Sequence, residues 1–155
     1  MIKRIPFLIL IFILFSCKNS SLKKGGYYME KYDNGNPRYI KYYNSKQELD
    51  GQSISFYEEG NIHSYIYFHE ENQEGPMILY YEDGKMNTFD NYIDGVQEGV
   101  SLHYNEKGSL TRKSYYRDGY KHGEQYFFDY DNGDTIRVEY YEKGNLIKRD
   151  SLKWR

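Results

Sequence analysis

The chain has 155 residues, a formal net charge of −2 and 39% hydrophobic residues, with 20 tyrosines and 8 phenylalanines among them. This length and apolar content favour one folded domain over a disordered chain, and the aromatic bias favours strands over a helical bundle. The charges are mixed along the chain without a basic stripe, which argues against a nucleic-acid partner. The single cysteine excludes an internal disulfide and cannot form a structural zinc site by itself.

The first residues have the organisation of an export signal. Two basic residues at positions 3 and 4 precede an apolar run over 5–15. As a helix this run would span about 16 Å, against a membrane hydrocarbon core of about 30 Å. The run closes with Leu14, Ser16 and Cys17, an order that resembles a bacterial lipoprotein signal.

The resemblance implies that Cys17 is the lipid attachment site and that the chain is cleaved before it. It divides the sequence into a lipoprotein signal peptide (1–16), a lipidated cysteine with a flexible polar tether (17–26) and a repeat domain (27–155). Lys18 stands where an aspartate would retain the protein at the inner membrane. We therefore expect an envelope protein lipid-anchored in the outer membrane of a Gram-negative bacterium. The alternatives are an ordinary secretory signal that happens to carry a cysteine and an uncleaved membrane anchor.

Glycines recur along the rest of the chain in two phase-locked series. The first series recurs every twenty-four residues, at Gly51, Gly75, Gly99 and Gly123. The second recurs every twenty-four or twenty-five residues, at Gly35, Gly60, Gly84, Gly108 and Gly133. A fixed period of this length predicts a repeat architecture. We interpret each period as one β-hairpin with its connection, in which both glycine series mark turns.

The spacing of apolar residues predicts which side chains share a face. In the first strand of a unit, apolar residues stand two apart, as Ile54 and Phe56 do. Positions two and eight after a second-series glycine have equal parity, so Ile62 and Phe68 are expected on that same face. The last complete unit has one extra residue, which we expect as a bulge or longer turn near 129–132.

These patterns predict an all-β fold: an elongated, twisted antiparallel meander of successive β-hairpins, with about five repeats of about 24 residues each. Paired helices are the competing repeat architecture. Turn signals about every twelve residues leave segments that are too short and too rich in tyrosine for them.

The segment YYRDGYKHGEQYFFDYDNGD, residues 115–134, resembles the MORN-repeat family and more closely its bacterial variant. The resemblance extends over about residues 27–147 and implies a sheet of hairpins without a catalytic centre. Some bacterial proteins with these repeats are labelled antitoxins, which would imply a toxin as partner. The segment YYEDGKM also resembles choline-binding cell-wall repeats, but those depend on tryptophans and this chain has only Trp154.

No catalytic, cofactor or metal site is predicted. The four histidines (His63, His69, His103 and His122) fall at different phases of the repeat and so form no column. Aspartates such as Asp83 and Asp118 stand beside glycines, where turn chemistry explains them better than paired-carboxylate catalysis. We therefore expect a protein that is not an enzyme.

A candidate binding surface consists of aromatic residues at the other parity, expected on the face opposite Ile54 and Phe56. Its members are Tyr65, Tyr67, Phe89, Tyr115 and Tyr140. These rings either shield a thin sheet or bind a protein or a glycan. The leading hypothesis is a non-catalytic, membrane-anchored envelope lipoprotein whose repeat surface is a protein-interaction scaffold. The alternatives are a module that binds glycans or the cell wall through its exposed tyrosines, and an antitoxin-like protein that neutralises a partner toxin.

Overall fold

The computed structural model describes residues 25–152, which form thirteen β-strands and no helix. The longer strands are β1 (Gly26–Lys31), β2 (Pro37–Tyr43), β3 (Leu49–Phe56), β4 (Ile62–His69), β5 (Asn72–Tyr80), β6 (Met86–Ile93), β8 (Gly99–Tyr104), β9 (Leu110–Arg117), β11 (Gly123–Phe128), β12 (Thr135–Glu142) and β13 (Asn145–Ser151). Two short strands, β7 (Val96–Gln97) and β10 (Tyr120–Lys121), lie between them.

All thirteen strands belong to one open antiparallel sheet. The longer strands follow one another across it in chain order, while β7 pairs with β6 and β10 pairs with β9. The edges of the sheet are β1 and β13. The predicted all-β meander of successive hairpins is confirmed.

The second glycine series lies in tight hairpin turns. The amide of Gly84 donates to the Tyr81 carbonyl at 2.9 Å, and Gly84 has a φ of +82° that disfavours residues with a Cβ. The same pattern recurs at Gly35, Gly60 and Gly108. In the last unit the Asp129 amide donates to the Asp134 carbonyl, so this turn holds the extra residue where it was expected.

The first glycine series does not mark turns, and this part of the prediction is wrong. Gly51 and Gly75 lie inside β3 and β5, where the register shifts, and Gly99 and Gly123 begin β8 and β11. The neighbouring turns are formed by other residues: Glu70–Glu71, Asp94–Gly95, Asp118–Gly119 and Lys143–Gly144, each with positive φ at both positions. The first series instead supplies positive φ where the strands bulge.

The prediction that Ile54, Phe56, Ile62 and Phe68 all lie on one face is wrong, because the register of the hairpin shifts. Residues directly opposite each other in an antiparallel pair share a face. Phe56 pairs with Ile62 as the parity requires, but Ile54 pairs with Tyr65 because the register shifts between Ser55 and Phe56. Phe68 instead pairs with Gly51 and lies on the opposite face from Ile54.

The hairpins are joined by a ladder of tyrosine hydroxyls at the turn end of the sheet. Tyr32 donates to the Phe56 carbonyl, Tyr57 to the Tyr80 carbonyl and Tyr81 to the Tyr104 carbonyl, each at 2.8 Å. Each bond reaches from one turn to the corresponding strand end of the next unit. The turns are therefore tied together along the repeat axis as well as through the sheet.

Candidate functional site

One side of the sheet, here called the apolar face, carries a continuous row of mostly apolar side chains. Successive strand pairings place these residues side by side: Ile54, Tyr65, Ile78, Phe89, Leu102, Lys113, Tyr126 and Val138. None of them is fully buried. No second layer covers the row within residues 25–152, which form a single sheet.

The five predicted binding-surface aromatics lie together on this apolar face. Tyr65 and Phe89 belong to the row itself, and Tyr67, Tyr115 and Tyr140 stand two residues further along β4, β9 and β12. The sequence predicted them on the face opposite Ile54, and this prediction is wrong, because Tyr65 pairs with Ile54 and shares its face. Tyr67 and Tyr115 remain 39% and 38% exposed, so their rings are accessible to a partner.

The other side, here called the polar face, buries polar groups instead of apolar ones. No apolar residue of the described chain is buried, and the buried polar residues are Ser64, Thr88, Asp90, Ser101, Ser114, Gln125 and Glu139. They lie along the middle of the sheet, with Phe68, Tyr92, Tyr116 and Tyr141 beside them in the row that pairs with the first-series glycines. The centre of this single-layer sheet therefore consists of polar side chains that are removed from water.

His103 and Arg112 pair across strands at the centre of the polar face. Arg112 Nη2 donates to His103 Nε2 at 2.8 Å, and Nδ1 of the same ring lies 3.4 Å from Thr88 Oγ1. Burial, and then the positive charge of Arg112, lower the pKa of His103. The imidazole is therefore neutral at pH 7 and accepts the arginine donor.

The acids of the polar face have partners. Asp90 Oδ1 accepts from Gln97 Nε2 at 2.8 Å. Glu139 is 3% exposed and accepts from Arg149 Nε at 2.8 Å and from the Tyr141 hydroxyl at 2.9 Å. Burial raises the pKa of Glu139, but the Tyr141 hydroxyl and the charges of Arg137 and Arg149 outweigh it, so the pKa is lowered.

Sequence reasoning did not single out the polar face as a site. The signal was present, because residues four past the turn glycines (Ser64, Thr88, Arg112 and Arg137) form a polar column with the period of the repeat. Residues six past them (Ile66, Asp90, Ser114 and Glu139) form a second column. Aligning the units would have shown both columns, but not that they are buried.

The predicted lipid attachment site, Cys17, lies outside the described residues, as does the proposed signal peptide. Within 25–152, no helix has the length and hydropathy needed to cross a membrane. In the same part of the chain, no group of three or more His, Cys, Asp or Glu side chains is placed to hold a metal ion.

Comparison with known proteins identifies the repeat in two segments. The family model described as the MORN repeat variant matches residues 49–70 and 73–92. These segments correspond to the hairpins β3–β4 and β5–β6. No curated protein matches the chain. The two matching repeats indicate a protein- or membrane-binding module, and proteins with such repeats are generally not catalysts.

Proposed function

We propose that this chain is a non-catalytic envelope lipoprotein, anchored through Cys17, whose repeat sheet binds a protein partner with its apolar face. The predicted tether over 17–26 is one residue shorter, since β1 begins at Gly26. It would hold the sheet close to the membrane surface, and two or more acyl chains would give stable anchoring. The sheet itself would supply the recognition surface.

The observation that carries the proposal is the uncovered apolar row with its flanking tyrosines. Apolar rows on a one-layer sheet keep part of their surface in water, and burying that surface favours association. Tyrosine suits such an interface because it offers a large contact area at a low cost in side-chain entropy. The exposed rings of Tyr67 and Tyr115 stand at separate points along this surface.

Charged residues on the apolar face would help to orient a bound partner. Lys113 Nζ lies 5.2 Å from the Tyr115 ring centroid, and Lys148 Nζ lies 5.3 Å from that of Tyr140. Each ammonium group packs against a tyrosine, which supports an amphipathic surface of mixed apolar and cationic character. A protein partner with a matching apolar and acidic patch fits this surface.

The test is capture of partners from detergent-solubilised envelopes with the full chain and with face variants. Tyr67→Lys and Tyr115→Lys place a charge on the apolar face. Tyr130→Lys is the matched control, because Tyr130 is 63% exposed and lies in the turn between β11 and β12. We expect one protein to be recovered by the wild type and by the control and lost from both face variants.

Equal recovery by all four chains would contradict the proposed surface. Retention of the wild type on cell wall or polysaccharide, without a protein partner, would replace it with the glycan-binding alternative. If the recovered protein is a toxin and its recovery depends on Tyr67 and Tyr115, the antitoxin-like alternative is supported.

A further inference from the structure

The polar face differs among three consecutive repeats at equivalent positions. Four, six and thirteen residues past the turn glycine, the Gly84 unit has Thr88, Asp90 and Gln97. At these positions the Gly108 unit has Arg112, Ser114 and Lys121, and the Gly133 unit has Arg137, Glu139 and Leu146. The middle unit therefore has serine where both of its neighbours have a carboxylate.

The carboxylates of the neighbouring units are satisfied inside the protein. Gln97 donates to Asp90, and Glu139 interacts with two arginines and a tyrosine hydroxyl. Neither carboxylate lies within ion-pair distance of Arg112 or Lys121. Neither Arg112 nor Lys121 makes an ion pair with an acidic side chain of residues 25–152.

The two cations of the middle unit flank a buried hydroxyl group. Ser114 stands two residues after Arg112 on β9 and two residues before Tyr116, which pairs with Lys121. It is 1% exposed, and its Oγ has no hydrogen-bond partner in the structure. Next to it across the strands, the buried Oε1 of Gln125 also has none. Buried polar atoms are normally paired, so these two require an explanation.

The two cations are partly removed from water, and neither has an ion-pair partner among the described residues. Burial, and then the charge of Arg112, lower the pKa of Lys121, and the more distant charge of Glu139 offsets only part of this shift. In the part of the chain that the structure describes, the Arg112 side chain has only the neutral His103 ring as a hydrogen-bond acceptor. The Lys121 ammonium lies 5.0 Å from the Tyr141 ring centroid. Both residues are half-buried, so solvent screens their mutual repulsion only in part.

We propose that Arg112, Ser114 and Lys121 form a binding site for the carboxylate or phosphate group of a ligand. The ligand oxygens would take the place that the Asp90 and Glu139 side chains have in the adjacent units, and the side chains of Arg112 and Lys121 would move apart to admit them, because Ser114 is 1% exposed. Arg112 offers a guanidinium fork, Lys121 a positive charge and Ser114 a hydroxyl donor. The site lies on the opposite face from the proposed protein-binding surface and is independent of it.

The repeats themselves suggest the variants, because the preceding unit accommodates other residues at the equivalent positions. Arg112→Thr and Lys121→Gln install the residues found twenty-four positions earlier, at Thr88 and Gln97. Ser114→Asp installs the residue found at Asp90 and thereby places a carboxylate inside the site. Lys113→Gln is the matched control, since Lys113 is adjacent to Arg112 but lies on the apolar face.

The experiment is isothermal titration calorimetry on the full chain in detergent micelles, with glucuronate, glucose 6-phosphate and uncharged glucose as probes. We expect the wild type to bind at least one of the two anions and not glucose, and the preference between them distinguishes a carboxylate ligand from a phosphate ligand. Arg112→Thr and Lys121→Gln should each weaken binding about tenfold or more, because each removes a charge-assisted contact. Ser114→Asp should abolish binding, and Lys113→Gln should leave it unchanged.

The location of the bound anion is read from the four histidines, labelled with carbon-13. The His103 ring signal should move on saturation, whereas those of the exposed His63 and His69 should not. The proposal is overturned if neither anion binds at millimolar concentration, if Ser114→Asp binds as well as the wild type, or if Lys113→Gln weakens binding as much as Lys121→Gln.

Discussion

Replacing Tyr57 by phenylalanine tests the hydroxyl ladder that joins adjacent hairpins. The substitution removes one oxygen and leaves the ring in place. The hydroxyl of Tyr57 donates to the Tyr80 carbonyl in the next unit at 2.8 Å. The bond connects residues that are 23 positions apart, so its loss removes one link between two units without altering either turn or the strand pairing.

The cost follows from the kind of hydrogen bond that is lost. A neutral hydroxyl-to-carbonyl bond contributes about 1 kcal/mol net to the free energy of unfolding. For a domain of this size that corresponds to a fall of about 4 °C in Tm. The bonds of Tyr32 and Tyr81 are equivalent and lie in other units. The triple phenylalanine variant should therefore lose about 3 kcal/mol, since separate sites add.

The assay is urea denaturation of the full chain in detergent, followed by circular dichroism. Tyr104→Phe is the matched control, because Tyr104 is similarly half-buried but its hydroxyl makes no hydrogen bond within the described residues. The control should unfold with the wild type. If Tyr57→Phe and Tyr104→Phe have equal midpoints, the ladder contributes nothing and the reasoning is refuted.

Substitutions at three further positions test the turn, the buried acid and the anchor. Gly84→Ala should lower the free energy of unfolding in urea by about 1 to 2 kcal/mol. The cost comes from the φ of +82° alone, because nothing lies within 4 Å of an added Cβ. Gly84→Asn should cost less, because asparagine adopts positive φ more readily. Glu139→Gln should cost about 2 kcal/mol at pH 7. The pKa of Glu139 is lowered on folding, so this difference should be fully present above the ordinary glutamate pKa of 4.5 and vanish as the pH falls through the folded pKa. An unchanged difference at low pH would contradict the role of its charge. Cys17→Ser should abolish acyl labelling and release the protein from the membrane fraction, whereas unaltered labelling would rule out lipidation at this position.

The strand and turn pattern was predictable because glycine reports backbone conformation directly. At Gly60 and Gly84 the chain needs positive φ, and the same requirement recurs with every hairpin. Sequence alone could not distinguish a glycine in a turn from one in a bulge, since both have positive φ. Gly75, with a φ of +72°, lies within β5 for that reason.

The sidedness of the strands was not predictable from parity alone. One residue of register shift, such as that between Ser55 and Phe56, moves every following side chain to the other face. Counting residues past Gly60 therefore placed Ile62 correctly and Phe68 incorrectly. The buried polar centre was missed for a related reason, because residues such as Ser101 become buried only when their neighbours on adjacent strands cover them.

Two adjacent tyrosines on β9 allow the most direct test of a sheet with a partner-binding apolar face. Tyr115 pairs with Val100 and lies on the apolar face, whereas Tyr116 pairs with Gly99 and lies on the polar face. A photo-crosslinking amino acid is placed at one or the other position of the full chain in intact cells. Crosslinks to a single protein from position 115, with none to that protein from position 116, are the predicted result. The same crosslinks from both positions, or from 116 alone, would contradict it.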